Sequence, residues 1–403
     1  QSGFLMIANI AGGVFMWAVH LLTKAIPPEE YAIFGTLLTV VMLLPTIPTQ
    51  MVVAEQTAKG LAINRLAELS GILRWFCKLI FFLWLAFAVI VLVFQNWIVQ
   101  KWQLPNATGL WVLLPVILLQ LWLPLFWGAL QGKQNFLWLG SSMMLNGVGR
   151  LSAAAFAVLV FHFYAVGMIS GVLFGLLAAT AIAFWHARSL FLVPPANFDW
   201  KSVVKQVSPL MLGFFGFQFL FTADTLFVKA YFSPALTGFY LSAGTLSRAL
   251  MWLVGPMATV MFPRLVHSAA KSEKSNLTVL VLAATFVLAA MGAISLSILG
   301  PWVVKFVFKP NYVKVASAFL PWYSWAMVPL AMANVLLNDL LVRPASRKNT
   351  AICVFILAVA YGFALTQFHS SPKAVLQVLL VFNSLFFLSC YLFWWKSRKT
   401  IDP

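Results

Sequence analysis

The sequence carries very little charge for its length. Only 9% of its 403 residues are charged, and 62% are hydrophobic. About a quarter of the residues of an ordinary soluble domain are charged. This much apolar surface cannot be buried in a water-soluble core, so we expect the bilayer to be the solvent of the chain. A spanning helix needs roughly 20 apolar residues, which allows about a dozen spans and excludes a soluble catalytic domain.

Cysteine and acidic residues are also scarce. Cys77, Cys353 and Cys390 lie in or beside apolar runs and show no CxxC spacing, which predicts small buried residues rather than a metal site or a disulfide framework. The nine Asp and Glu residues include no Asp-x-Asp motif. Membrane glycan polymerases, ligases and glycosyltransferases need clustered carboxylates or a large outer loop. We therefore expect no enzymatic activity, no metal and no organic cofactor.

Twelve long apolar runs divide the chain. They are too long and unbroken for barrel strands, which alternate over about ten residues. We therefore expect an all-α integral membrane protein, because helices pair their backbone groups internally in lipid. The first run starts at Phe4 without a small-residue cleavage pattern and is expected to be a retained helix. The expected spans are 3–24, 31–56, 72–98, 108–130, 136–161, 163–187, 207–232, 237–263, 277–299, 316–342, 350–368 and 373–395.

The basic residues lie in short clusters between these runs. Of the 26 Lys and Arg residues, 17 fall on the loops of one side and 7 on the other, with Arg150 and Arg248 inside spans. The positive-inside rule then places both termini in the cytoplasm, with the chain in the plasma (inner) membrane. Although the net charge is +17, we expect no nucleic-acid binding, because that would need one continuous basic face.

A polar stretch at 193–209 separates six spans from six. We expect an N-terminal six-helix bundle over 1–190, a cytoplasmic linker over 191–206 and a C-terminal six-helix bundle over 207–403. The halves also resemble each other, because a similar proline-containing loop precedes the second span of each. Two parallel repeats of six spans are typical of transporters that bind substrate between the halves.

Three charged residues lie deep within the expected spans. At 1.5 Å per residue, Asp224 lies about 12 Å and Arg248 about 16 Å from the outer surface, and Arg150 about 16 Å. A lone charge at mid-membrane costs about 2.5–3.5 kcal/mol on insertion scales. Asp224 and Arg248 either form an ion pair that fixes packing or serve function. Arg150 has no evident acidic partner, which favours a functional role.

The deep charges are mainly basic, which predicts an anionic substrate, because guanidinium groups match phosphate oxygens in bidentate fashion. Asn146 lies one turn from Arg150 on the same face, although a hydrogen bond between helices is its favoured alternative role. His20 and Lys24 approach the outer end of the first span. The predicted substrate-binding residues are Arg150, Arg248, Asp224, Asn146, His20 and Lys24.

The stretch 213–265 resembles the seventh and eighth helices of polysaccharide flippases. These form the lipid-linked oligosaccharide branch of the MOP exporter superfamily, which also includes multidrug extruders. The segments 29–58 and 300–322 resemble the same family, with Ala32 where the family usually has Gly. The family pattern in the first stretch is matched by Asp224, Lys229, Pro234, Gly238, Phe239, Tyr240, Gly255, Pro256, Phe262 and Pro263.

The resemblance implies two six-helix bundles in a V, working by alternating access. The implied cargo is a glycan on polyprenyl pyrophosphate that moves from the inner to the outer leaflet. Arg150 and Arg248 would bind the headgroup, while Asp224 pairs with Arg248 or senses a coupling proton. Coupling to H⁺ or Na⁺, and partnership with polysaccharide polymerase or assembly proteins, stay open.

Three alternatives to a glycan flippase remain. A multidrug or cation exporter of the same superfamily would want acidic residues deep in its cleft, where Asp224 stands alone. A membrane glycan polymerase or glycosyltransferase is disfavoured by the scarcity of acids. A structural protein of an envelope assembly complex would have little reason to keep deep charges.

Overall fold

The computed structural model describes residues 2–270 and 277–399. Side chains are described for these residues except 2, 255–270, 277, 342, 344–345 and 398–399. Within the described residues every regular element is helical, and the predicted all-α class is confirmed. The chain forms two compact units, Gln1–Ser208 and Pro209–Pro403, called unit 1 and unit 2 below.

Unit 1 begins with a helix that tightens into a 3₁₀ segment, Val19–Lys24, and it continues through long helices joined by short turns. Its α-helices are α1 Ser2–Ala18, α2 Pro28–Met42, α3 Thr46–Ala62, α4 Leu66–Val93, α5 Gln95–Lys101, α6 Thr108–Gly132, α7 Phe136–Leu159, α8 Tyr164–Ala187 and α9 Ser189–Leu192.

Unit 2 begins inside a helix, since the boundary between the units falls within α10. The remaining helices are α10 Trp200–Tyr231, α11 Pro234–Ala270, α12 Leu277–Val307, α13 Pro310–Val342, α14 Pro344–Gln367 and α15 Pro372–Lys399.

Eleven helical segments among the described residues are long and apolar enough to cross a membrane. The eighth expected span, 237–263, falls on α11, which is helical throughout but whose side chains from 255 onward lie outside the described residues. The motif residues Gly255, Pro256, Phe262 and Pro263 are among them. The short helices α5 and α9 were not expected, because neither is long enough to span a membrane.

The second expected span is divided into two helices. Helix α2 ends at Met42 and α3 begins at Thr46, with Pro45 at its N-cap. Proline lacks a backbone N–H and its ring clashes with the preceding turn, so a helix breaks before it. By contrast, Pro115 and Pro124 lie inside the continuous helix α6.

The expected linker, 191–206, contains the end of α9 and the start of α10, and it is attached to α4. Ser70 donates a hydrogen bond to the Val193 carbonyl at 2.7 Å, and Ala196 N–H donates to the Ala67 carbonyl at 2.9 Å. Arg74 also donates to carbonyls of this segment. These bonds hold the segment against α4.

Helix α7 packs against α1 and α8 at glycine positions. A Cβ built on Gly175 of α8 would lie 2.8 Å from the backbone nitrogen of Arg150, and one on Gly171 would lie 2.7 Å from the Arg150 carbonyl oxygen. Small residues let membrane helices approach closely. The glycines of α8 therefore fix the position of the α7 backbone that carries Arg150.

Helix α13 is the central helix of unit 2. It packs against α11, α12, α14 and α15. Tyr323, near its middle, is completely buried. A tyrosine there can be stable only if its hydroxyl finds a partner, and that partner lies on α10.

Candidate functional site

Asp224 is the centre of a buried polar network in unit 2. Its side chain on α10 is completely buried. The Arg248 guanidinium donates to Asp224 Oδ1 at 2.8 Å, and the Tyr240 hydroxyl donates to Oδ2, also at 2.8 Å. The Tyr323 hydroxyl donates to the same Oδ2 atom. Three donors from α11 and α13 thus neutralise and solvate this carboxylate.

Arg248 is likewise bound within unit 2. Its Nε donates to the Phe221 carbonyl at 3.1 Å, and its Nη2 also donates to Thr225 Oγ1 at 3.0 Å. The guanidinium carbon lies 5.7 Å from the Phe221 ring centroid and 5.4 Å from that of Tyr323, within cation–π range. Asp224 and Arg248 therefore form an ion pair that joins α10 to α11. An ion pair was one of the two roles that the sequence allowed for these residues.

Tyr323 could not be found from the sequence, because it lies 99 residues from Asp224. Tyr361 of α14 is also close enough to interact electrostatically with Asp224. Its buried hydroxyl has no hydrogen-bond partner within the described part of the chain. The only available signal for either residue was a tyrosine within an apolar run, which is too common to be diagnostic.

Arg150 differs from Arg248 in having no counter-charge. It is only 9% exposed. No ion pair or side-chain hydrogen bond joins it to the described residues, and its buried Nε has no acceptor there. A buried guanidinium in this condition is costly unless a ligand or water binds it.

His20 lies within electrostatic reach of Arg150. Its ring is 8% exposed, and Nδ1 is 3.0 Å from the Tyr31 hydroxyl. The His20 ring also makes an edge-on contact with Tyr31, with centroids 5.8 Å apart. Neither His20 nor Tyr31 has a carboxylate, so neither can neutralise the charge of Arg150.

Asn146 lies one turn before Arg150 and is buried. Its Nδ2 contacts Met16 Sδ at 3.8 Å, and a thioether is a weak acceptor. This contact joins α7 to α1, as expected if Asn146 forms a hydrogen bond between helices. It leaves most of the hydrogen-bonding capacity of the Asn146 amide unused. We call Arg150, His20, Tyr31 and Asn146 the unit 1 cluster. Lys24 lies at the end of the 3₁₀ segment and is exposed.

Both carboxylates that are buried within the described residues are paired with arginine. Besides Asp224, these include Asp339, whose two oxygens each accept a hydrogen bond from Arg343 Nη2 at 3.0 Å. In the part of the chain with described side chains, no buried carboxylate is open to a cation. Arg150, by contrast, is a buried cation without a counter-charge among those residues.

Several solved structures that resemble this chain are transporters. An inward-facing multidrug resistance MATE transporter of the MOP superfamily aligns with a TM-score of 0.77 over 100% of this chain and 99% of its own, at 11% identity. The chain has the MOP transporter fold. The lipid II flippase MurJ, in an inward closed conformation, aligns with a TM-score of 0.71 at 13% identity, over 97% of this chain and 86% of its own.

A third structure with this fold is a MOP superfamily transporter from Pyrococcus furiosus. Its TM-score is 0.62 at 12% identity, over 100% of this chain and 95% of its own. For that protein, a binding pocket of reversed polarity is described as suggesting a different function. No protein-family model and no curated protein matches the chain.

These likenesses and the apolar helices identify a multi-pass membrane protein. At identities of 11–13% they define the fold alone. Multidrug transporters and a lipid flippase share this fold.

Proposed function

We propose that this protein is a transporter that moves a glycan linked to polyprenyl pyrophosphate from the inner to the outer leaflet by alternating access. It would act in the plasma (inner) membrane with both termini in the cytoplasm. The fold, which is shared with a lipid flippase, and the family pattern around Asp224 support this proposal. The observation that carries it is the buried Arg150 without a counter-charge.

The sign of this charge favours an anionic cargo. A single central charge costs about 2.5–3.5 kcal/mol on insertion scales. A pyrophosphate would offset that cost, because its oxygens can accept two parallel hydrogen bonds from one guanidinium. The Asn146 amide, whose described partner is a thioether, could supply a further donor beside it.

The state of the acidic residues argues against a cation as cargo. Asp224 already accepts hydrogen bonds from three side chains, and Asp339 is held by Arg343. A negative-inside membrane potential also favours export of an anion, by about 2.3 kcal/mol per charge per 100 mV.

Export of surface glycan by cells that depend on this protein tests the proposal. Arg150→Ala should abolish export while the amount of membrane-inserted protein stays normal. Removing charge-assisted hydrogen bonds of about 1.5–3 kcal/mol predicts roughly ten- to hundredfold weaker binding of a polyprenyl pyrophosphate glycan. Arg150→Lys should retain part of this binding, because lysine keeps the positive charge but cannot donate two parallel hydrogen bonds. Normal export by Arg150→Ala would refute the proposal.

A second candidate, export of a drug or organic cation, is favoured by the match to a MATE transporter over the whole chain. Drug susceptibility of the same cells separates the two. For the proposed flippase, loss of the protein should remove surface glycan and leave drug susceptibility unchanged. The opposite result would establish the exporter.

A further inference from the structure

Three basic side chains meet at one end of unit 1, where α6 and α8 end and α7 begins. They are Lys133, His186 and Arg188, called the basic end cluster below. Lys133 Nζ donates to the His186 carbonyl at 3.3 Å and to Ser189 Oγ at 3.1 Å. His186 lies within electrostatic reach of both Lys133 and Arg188.

Within the described parts of the chain, no carboxylate offsets this charge. Among the described residues, the ion pairs involve other Lys and Arg side chains, and neither Lys133 nor Arg188 belongs to one. Clustered cations repel one another, so the arrangement is least costly when an anion lies between them. The hydrogen bond from Lys133 to the carbonyl of His186, at the end of α8, explains the position of the Lys133 side chain. It uses only part of the three donors of the ammonium group.

Aromatic rings hold the other two basic side chains in place. The Arg188 guanidinium carbon lies 3.4 Å from the centroid of the Trp185 ring. The His186 ring stacks on Trp138, with centroids 3.7 Å apart and an interplanar angle of 13°. Stacking uses the flat face of a guanidinium and leaves its edge free to donate. In the described part of the chain, Arg188 donates no side-chain hydrogen bond, so this edge is available to a ligand.

The start of α7 adds positive potential to the same place. Asn135 caps this 24-residue helix by accepting from the Trp138 N–H at 3.5 Å. Trp138 therefore lies in the first turn, where helix N–H groups and the helix dipole favour anions. The ends of membrane helices, with their tryptophans, lie at the level of the lipid headgroups.

We propose that the basic end cluster binds the phosphate of an anionic phospholipid headgroup. Arg188 would donate hydrogen bonds from its free edge to the phosphate oxygens, while Lys133 contributes a point charge. Trp185 is 60% exposed and would lie along the glycerol and upper acyl region of the same lipid. By the positive-inside count this end faces the cytoplasmic leaflet, which is the one rich in anionic lipid. The inference does not depend on which substrate is transported.

Native mass spectrometry of the full chain in detergent tests the site, with phosphatidylglycerol and phosphatidylcholine as probes. The wild type should retain phosphatidylglycerol in preference to phosphatidylcholine. Arg188→Gln should weaken that retention roughly tenfold, since one charge-assisted contact is removed. Trp185→Leu keeps the charge of Arg188 but removes the ring on which the guanidinium stacks, so it should also weaken lipid retention. Lys78→Gln is the matched control, because Lys78 is exposed on α4 outside the cluster and its loss should change little.

Three results would overturn the proposal. Equal losses in Arg188→Gln and Lys78→Gln would mean that lipid responds only to overall surface charge. Displacement of phosphatidylglycerol by inorganic phosphate at the same concentration would mean that the cluster binds free anions rather than a lipid. Unchanged retention in folded Trp185→Leu together with folded Arg188→Gln would exclude the site itself.

Discussion

The Asp224–Arg248 pair permits a quantitative prediction for Asp224→Asn. The substitution keeps the size of the side chain but leaves the Arg248 guanidinium, whose side chain is 9% exposed, without its counter-charge. Removing one partner of a buried ion pair typically costs about 3–5 kcal/mol. Hydrogen bonds between membrane helices average only about 0.6 kcal/mol. The uncompensated charge should therefore dominate the loss of stability.

A double-mutant cycle isolates this effect. Arg248→Met should also be strongly destabilising, because it leaves a buried carboxylate with its two tyrosine donors. The double variant Asp224→Asn with Arg248→Met contains no buried charge at this position. Its loss of unfolding free energy should be smaller than the sum of the single losses by at least about 2 kcal/mol.

The measurement is the free energy of unfolding in mixed micelles as denaturing detergent is added. Asp339→Asn is the matched control, since Asp339 is also paired with an arginine. Arg343 has a side chain that is 29% exposed and can turn toward water when its partner is removed. We therefore expect Asp339→Asn to destabilise the protein less than Asp224→Asn does.

Additive losses in the cycle, or equal losses for Asp224→Asn and the control, would refute the reasoning. Export by the double variant then decides between the two interpretations of the pair. Normal export at normal stability would show that the pair serves packing. Lost export at normal stability would show that the charges take part in transport.

Three further changes test the packing of α7 on α8, the cap of α7 and the Asp224 network by the same unfolding measurement. Gly175→Ala places a Cβ 2.8 Å from a backbone nitrogen of α7 and should cost about 1–3 kcal/mol, whereas Gly3→Ala, with nothing within 4 Å, should not destabilise. Equal effects would contradict the close packing of α7 on α8. Asn135→Ala removes the cap of α7 and should cost about 1 kcal/mol, and no loss would mean that the cap is unimportant. Tyr240→Phe removes one of three donors to Asp224 and should cost about 0.6 kcal/mol, while a loss as large as that of Asp224→Asn would contradict the dominance of charge.

The sequence alone predicted the helical membrane class and the approximate positions of the spans. Both follow from local properties, because the length and apolarity of a run decide whether a helix is stable in lipid. The break of the second span at Pro45 is local too, since a proline cannot donate the backbone hydrogen bond. The depth of Arg150, Asp224 and Arg248 could also be calculated from the helical rise.

Only the tertiary structure decided which of these charges is compensated. The sequence offered the same two interpretations for Asp224 and Arg248 until α10 and α11 were placed side by side. Tyr323 joined them from 99 residues away, through the position of α13. The sequence offered no acidic partner for Arg150, and its neighbours among the described residues bring it no carboxylate. Charge compensation in lipid depends on a few ångströms between side chains of different helices, and spacing within one helix cannot determine that distance.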